Sequence, residues 1–325
     1  MDKNDCLVSI FCAAFNHESY IADALESFVN QKCDFKFEVL VNDDKSSDKT
    51  ADIIRQYSEK YPEIIRPIYQ QENLFSQHRD VYEEFFYPMA NGKYVAMCEG
   101  DDYWINSSKL RKQVEFLESH PEYSACCHNS TVHDCSGTSP DRPFIDASED
   151  RDLYLKDILP GMSHAYHTSS LLCRKDIISD HRKFYHEARN YGFSDYPDAI
   201  RLALSGPIHF FNEEMSVYRI QSNPDSWSAN LAGQYKKRTR FVEGEIRMFE
   251  ALRQDIPCKD AALLEEELLK REFELLFLEG NVQEMVKPPY DEIFKAQPFS
   301  YRLKTHIKRC FPRLHEYYRK KKGFY

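Results

Sequence analysis

The first third of the chain alternates short apolar runs with amphipathic stretches. Leu7 to Ala13 is an apolar run of strand length, followed by the polar segment Asn16-His17-Glu18-Ser19. Ile21, Leu25, Phe28 and Val29 then fall on one face of a helix. Phe37 to Val41 reads as a second strand, closed by Asn42-Asp43-Asp44-Lys45-Ser46-Ser47-Asp48. The serines there are expected to cap the next helix, with Asp48 in its first turn. Ala51, Ile54, Tyr57 and Tyr61 mark that helix, and Pro62 ends it. Ile64 to Tyr69 is a third strand, placed at an edge by Pro67. Val81 to Met89 reads as helix closed by Gly92, Tyr94 to Cys98 as a buried strand, Leu110 to Leu117 as helix and Tyr123 to Cys127 as strand. Alternation of this kind predicts an α/β fold: a doubly wound, mostly parallel sheet flanked by helices.

The pattern then loosens. Ser136 to Asp152, rich in Ser, Pro and Asp, reads as a loop, and His167 to Cys173 as a short strand. Ser194-Asp195-Tyr196-Pro197 precedes a helix over Ala199 to Leu204, which Gly206 closes. Ile208 to Phe211 and Met215 to Arg219 read as a strand pair, followed by a polar loop that carries Trp227. From Gln234 onward the chain is helical and charged, interrupted at Pro288, Pro289 and Pro298.

The chemistry concentrates in Met97-Cys98-Glu99-Gly100-Asp101-Asp102-Tyr103-Trp104, where a buried strand runs into crowded carboxylates. Such carboxylates repel one another and resist desolvation unless something positive sits among them. Oxygen donors suit magnesium or manganese. The alternative is an acidic turn of solvated residues, and this octapeptide does not separate the two. In doubly wound sheets ligands bind beyond the carboxyl ends of the strands. Asn16-His17, Asp43-Asp44 and Glu99-Asp101-Asp102 all fall at that end, which points to a ligand site. No G-x-G-x-x-G and no G-x-x-x-x-G-K is present, so a diphosphate would need a metal and basic side chains, with Arg79 one candidate.

Composition narrows the classes. A net charge of −10 argues against a nucleic-acid binder. No apolar run reaches membrane-spanning length and no signal-peptide pattern opens the chain, so cytoplasmic residence is the expectation. The 10 cysteines form no C-x-x-C pair and several sit in apolar runs, which suits reduced, buried thiols. His128, His133 and Cys135 match no common metal spacing. The charge is uneven: Arg302, Lys304, Lys308, Arg309, Arg313, Arg319, Lys320, Lys321 and Lys322 accompany Glu316 alone among acids in that span.

From Leu7 to Trp104 the sequence resembles the family 2 glycosyltransferases, nucleotide-sugar-dependent enzymes of the glycosyltransferase A-type fold, of the bacterial polysaccharide-synthesis kind. The likeness lies in Val8-Ser9-Ile10 through Phe15-Asn16, Phe37 through Thr50, Glu72-Asn73-Leu74 with Arg79, Gly92 through Ala96, and Glu99 through Trp104. It implies that Ala13, Phe15, Asn16, Asp43, Asp44, Arg79, Glu99 and Asp101 bind a nucleotide diphosphate sugar, a UDP-sugar by preference. Phe15 would stack on the base and Asp44 would read it. Asp102, with Asp101, would hold a divalent cation, Mn2+ or Mg2+. Later in the chain the resemblance implies Asp195 as catalytic base, and His167, Arg219 and Trp227 as walls of the acceptor or diphosphate pocket. Ordinary structure would also explain two of these, an N-cap for Asp195 and core filling for Trp227. Three positions depart from the family pattern: Glu99 stands for a frequent Asp, Ala14 for a common proline and Lys45 for a usual glycine.

The implied organisation is a catalytic domain over 1–232, with a nucleotide-sugar half at 1–130 and an acceptor half at 131–232. A helical extension at 233–297 and a basic amphipathic tail at 298–325 follow. The extension would brace the catalytic domain or form a homo-oligomer contact. The implied activity is inverting transfer of a sugar to a hydroxyl of a glycan or lipid-linked glycan, in surface polysaccharide synthesis. The tail would touch the inner face of the plasma membrane. A sugar nucleotidyltransferase and a non-catalytic nucleotide-sugar binding module remain the alternatives. The first should carry a glycine- and base-rich loop after its first strand, where this chain has Ala14-Phe15-Asn16-His17-Glu18.

Overall fold

A computed structural model describes residues 6–77, 79–179, 195–220 and 235–310. The chain divides into two compact units, one of Met1–His181 with Ser194–Asn223, the other of Arg182–Phe193 with Pro224–Tyr325.

The first unit is a sheet with helices on its faces. In chain order it runs β1 (Cys6–Ala14), α1 (Ile21–Val29), β2 (Lys36–Asp43), α2 (Thr50–Lys60), β3 (Ile65–Tyr69), α3 (Tyr87–Met89), β4 (Tyr94–Met97), β5 (Tyr103–Trp104) and α4 (Lys109–Ser119). There follow β6 (Ala125–Asp134), β7 (Arg142–Pro143), β8 (Arg151–Leu153), α5 (Leu155–Ile158), β9 (Leu172–Arg174), α6 (Lys175–Ile178), α7 (Asp195–Ser205) and β10 (Ile208–Ile220). The strand order is β3-β2-β1-β4-β9-β6-β10-β5. β3, β2, β1 and β4 pair in parallel, as do β6 and β10, while β9 runs antiparallel between β4 and β6.

Both faces of the central strands are covered, which is why they read as unbroken apolar runs. Val8, Ile10 and Cys12 meet Leu25 and Phe28 of α1 and Leu110, Val114 and Leu117 of α4 in one core. On the opposite face Phe11 stacks on Phe86, ring centroids 4.8 Å apart, with Tyr82 and Tyr87 edge-on to it. Burying one such large side chain contributes roughly 1.5–3 kcal/mol. Pro67 does lie in the edge strand β3, opposite Val41. Gly92 enters β4 against β1 so closely that a Cβ there would lie 2.4 Å from the Ser9 backbone nitrogen.

Several local expectations change. No serine caps α2: its N-cap position is Lys49, and Asp48, one residue earlier, accepts the Thr50 backbone N–H on Oδ1 at 2.9 Å and the Thr50 hydroxyl. The stretch before β4 is a π-helical turn at Tyr82–Phe86 with only one turn of α-helix after it. Thr168–Ser170 forms a 3-10 turn, leaving Leu172–Arg174 as the strand. The segment read as loop from Ser136 contains β7 and reaches β8, both antiparallel partners of longer strands. The expected strand pair at 208–219 is one strand, β10, irregular in register between Phe211 and Ser216. That irregularity keeps an interrupted apolar pattern within one strand.

The second unit, among its described residues, consists of helices: α8 (Tyr235–Leu252), α9 (Ala261–Glu279), α10 (Asp291–Ala296) and α11 (Phe299–Cys310). A small core of Phe273, Val282, Met285 and Phe294 sits between them. Arg238 pairs with Glu274, and Arg271 with Glu245 and Glu267, joining α8 to α9 and bracing α9.

Candidate active site

Three loops at the carboxyl ends of β1, β2 and β4 meet. Hydrogen bonds between strand ends carry the ladder outward: Asp44 N–H donates to the Ala14 carbonyl at 2.9 Å, and Gly100 N–H to the Ala13 carbonyl at 2.9 Å. The first two loops are tied side chain to backbone. Asn16 N–H donates to Ser46 Oγ at 2.9 Å, Ser47 N–H to Asn16 Oδ1 at 2.8 Å, and His17 N–H to Thr50 Oγ1 at 2.8 Å. Asn16 and Lys45 take left-handed backbone, φ 55° and 65°. The Lys45 position thus has the conformation that favours glycine. Ser46 and Ser47 serve this tie.

Asp44 is buried and both its oxygens are engaged. Oδ1 accepts from Leu74 N–H at 2.8 Å and Oδ2 from Phe75 N–H at 3.1 Å. The side chain therefore shapes the loop after β3, whose Phe75 is 72% exposed; Phe15, on the loop after β1, is 37% exposed. Asp43 points its Oδ2 at the Ser46 amide, 3.3 Å away, and its buried Oδ1 meets no hydrogen-bond partner among the described residues. Burial pushes its carboxyl upward. Arg79 stands on the same side of the sheet, paired with Glu84 and with Glu72 at 3.3 Å.

The acidic turn is closed by Asp102 N–H donating to the Glu99 carbonyl at 3.1 Å. Gly100 sits where a Cβ would lie 2.9 Å from His17 Nδ1 and 3.0 Å from Ala14 Cβ, so the turn seats directly on the first loop. Asp101 Oδ2 is 3.9 Å from His17 Nε2. Burial lowers the pKa of that imidazole. Asp102 is 1% exposed. Its Oδ1 accepts from Arg219 N–H at 2.9 Å, and its Oδ2 lies 3.7 Å from His167 Nδ1. Desolvation, then repulsion from Asp101, raises its carboxyl well above the usual range.

His167 is not an ionic partner for Asp102. Desolvation lowers its pKa to about 3, and its Nδ1 already accepts the Ser169 N–H at 3.3 Å. The ring stacks on Tyr218 with centroids 3.9 Å apart. The unprotonated Nδ1 and the Asp102 Oδ2 thus face each other as two acceptors across that gap. Arg219, on β10, sandwiches its guanidinium between Tyr103 and Tyr20, 4.4 and 5.1 Å from the ring centres. It donates to the Asp101 carbonyl at 3.0 Å and pairs with Asp23. Its contacts in this structure hold the acidic turn.

Asp195 opens α7 and comes to the same cleft. Its Oδ2 accepts from the Thr168 hydroxyl at 3.2 Å and its Oδ1 from the Tyr196 N–H at 2.9 Å. Glu99 is exposed. Desolvation, then the charges of Asp101 and Asp195, push its carboxyl up to about 8. Sequence reasoning left His17 and Thr168 without roles. His17 was visible only as part of a polar loop, and nothing in the sequence marks Thr168 as a partner of a residue 27 positions later. Trp227 lies outside the described residues. Among the described residues no three His, Cys, Asp or Glu side chains are grouped to hold an ion by themselves. His128 is buried, and His133 Nδ1 lies 2.8 Å from Asp141 Oδ1.

Residues 9–182 match the family model described as glycosyl transferase family 2, and the chain belongs to that family. An uncharacterised protein of Mycobacterium tuberculosis is 36% identical over 238 residues, covering 73% of this chain. The matched region spans 64% of that relative's length. Two solved structures share the fold at 16% identity. TarS from S. aureus, in complex with UDP-GlcNAc, has a TM-score of 0.58, with 89% of this chain and 78% of that one covered. The mannosyltransferase PcManGT from Pyrobaculum calidifontis, in complex with GDP-Man and Mn2+, has a TM-score of 0.51, with 95% and 86% covered.

Proposed function

We propose that this chain transfers a sugar from a nucleotide diphosphate sugar to a hydroxyl of a glycan or lipid-linked glycan, inverting the anomeric carbon. The observation that carries the reading is the turn His167-Thr168, which meets both carboxylates: His167 Nδ1 lies 3.7 Å from Asp102 Oδ2 and the Thr168 hydroxyl donates to Asp195 Oδ2 at 3.2 Å. The structural neighbours hold UDP-GlcNAc and GDP-Man with Mn2+, which supports a nucleotide-sugar donor; we take a uridine base as the first to test. Phe15 offers a face for that base, and Asp44 sets the loop beside it. Asp43 keeps a buried oxygen with no hydrogen-bond partner among the described residues.

Asp195 acts as general base. Its carboxylate is oriented by the Thr168 hydroxyl and the Tyr196 amide, and it accepts the proton of the acceptor hydroxyl as that oxygen attacks. One base suffices for a single displacement. The donor set suits a hard divalent cation: buried Asp102 with Asp101, beside the acceptor nitrogen of His167. Such an ion, when bound, would offset negative charge on a leaving diphosphate. Arg219 keeps both carboxylates in place through the Asp101 carbonyl and the Asp102 Oδ1.

The test is a thermal-shift and turnover screen of UDP- and GDP-sugars with and without manganese. The expected result is stabilisation by one nucleotide class, enhanced by the metal, with slow donor hydrolysis and transfer to an added glycan. Stabilisation without hydrolysis or transfer under any metal condition would make the chain a binding module.

A further inference from the structure

The helix Phe299–Cys310 has one face packed and one face open. Its inner side joins the small core of the second unit: Tyr301 lies 5.3 Å from the Phe277 ring, Thr305 is buried, and the His306 ring meets Phe294 edge-on at 5.3 Å. Along the other side Phe299, Leu303 and Cys310 recur at steps of four and seven residues, one stripe of a helix, and all are exposed. Phe299 is 72% and Leu303 47% exposed. Large apolar side chains so placed raise the free energy of the dissolved protein unless something covers them.

The charge of this helix identifies the cover. Arg302, Lys304, Lys308 and Arg309 lie within it and no Asp or Glu does, in a chain whose net charge is −10. By sequence the bases continue through Lys322 with Glu316 the single acid. A second copy of so acidic a protein could offer carboxylates, but a helix pairing with its own copy would bring bases against bases. An apolar stripe on a helix rich in Arg and Lys, too short and too polar to span a bilayer, fits the boundary of an anionic membrane, where the apolar side chains enter the acyl region and the bases meet lipid phosphates.

We propose that the helix Phe299–Cys310 is an interfacial anchor that docks this protein on anionic lipid through Phe299 and Leu303. The full chain is centrifuged with vesicles of equal parts phosphatidylglycerol and phosphatidylcholine, and with vesicles of phosphatidylcholine alone, at low and at physiological salt. It should pellet with the anionic vesicles and much less with the neutral ones, and salt should weaken the binding. The double variant Phe299→Ser, Leu303→Ser should bind at least about tenfold more weakly while melting as the parent does, since both side chains are exposed. Phe299→Trp gives a reading that does not depend on that variant's folding: its emission should shift to the blue with anionic vesicles and be shielded from an aqueous quencher. Lack of binding at low salt, unchanged binding in the double variant, or a tryptophan that stays in water would each overturn the proposal. So would equal binding to neutral vesicles, or a lipid-free dimer that the double variant abolishes. Donor hydrolysis should be the same in parent and double variant, so this anchor and the transferase reading can fail separately.

Discussion

Individual side chains here carry more than their positions in sequence suggest, and Asp195 tests this most sharply. A carboxylate opening a helix can be a cap or a base, and Asn preserves the first role while losing the second. Asp195→Asn should keep the melting temperature and donor affinity, and lower the transfer rate by roughly 10²–10⁴. Transfer near the parental rate would leave Asp195 a cap only. Asp44 has a different signature. Because its oxygens accept the Leu74 and Phe75 amides, Asp44→Ala should cost stability, about 1–3 kcal/mol, together with donor affinity. Calorimetry that finds nucleotide affinity intact while chemical denaturation finds the loss would confine Asp44 to the loop. Lys109 presents a third case. It is fully buried, its Nζ 4.0 Å over the Trp104 ring and 2.8 Å from Gln113 Oε1, and desolvation lowers its pKa to about 7. The unfolded chain, with an ordinary lysine, holds the extra proton between about 7 and 10.5. Stability should therefore rise with pH across that window. In urea titrations Lys109→Met should flatten the rise, and an unaltered slope would show that the ammonium is not desolvated as described.

At the level of elements, the alternation of strands and helices was legible because both sheet faces are covered, so every central strand is an apolar run of its own. The tight loops were legible as polar clusters, but their wiring was not. That Asn16 binds Ser47 and that His17 reaches Thr50 depends on the parallel register of β1 on β2, a long-range fact absent from local pattern. The same holds for Arg219. Sequence suggested a pocket wall, whereas the pairing of β10 with β5 brings its guanidinium onto Tyr103 and the Asp101 carbonyl. Lys45 makes a loop-level prediction. Left-handed backbone costs a residue with a Cβ about 1–2 kcal/mol, and glycine returns part of that gain through a freer unfolded chain. Lys45→Gly should raise stability by about 0.5–1 kcal/mol in chemical denaturation. A loss would mean that the lysine side chain makes up the strain.

For the whole molecule, charge and packing divide differently from chemistry. Among the described residues no helix is long and apolar enough to cross a membrane. The bases at 302–322 number nine against one acid, so the remainder carries −10 − 8 = −18. Ending the chain before Pro298 removes Tyr301 from the core of Phe273, Val282, Met285 and Phe294. It should lower the melting temperature of the helical unit while the sheet still hydrolyses donor slowly. Complete loss of donor hydrolysis in a folded truncation would tie the tail to the chemistry.

The grip of Arg219 on the acidic turn has a consequence for biosynthesis. Asp101 and Asp102 are translated early, but the backbone amide and guanidinium that hold them belong to a residue 117 positions after Asp102. A nascent chain can stack β1, β2, β3 and β4 as they emerge, yet its carboxylates lack the Arg219 contacts until β10 leaves the ribosome and pairs with β5 and β6. An incomplete translation product ending before β10 would therefore lack the restraint that sets those carboxylates in place, so stalled ribosomes would release fragments without an assembled acidic turn.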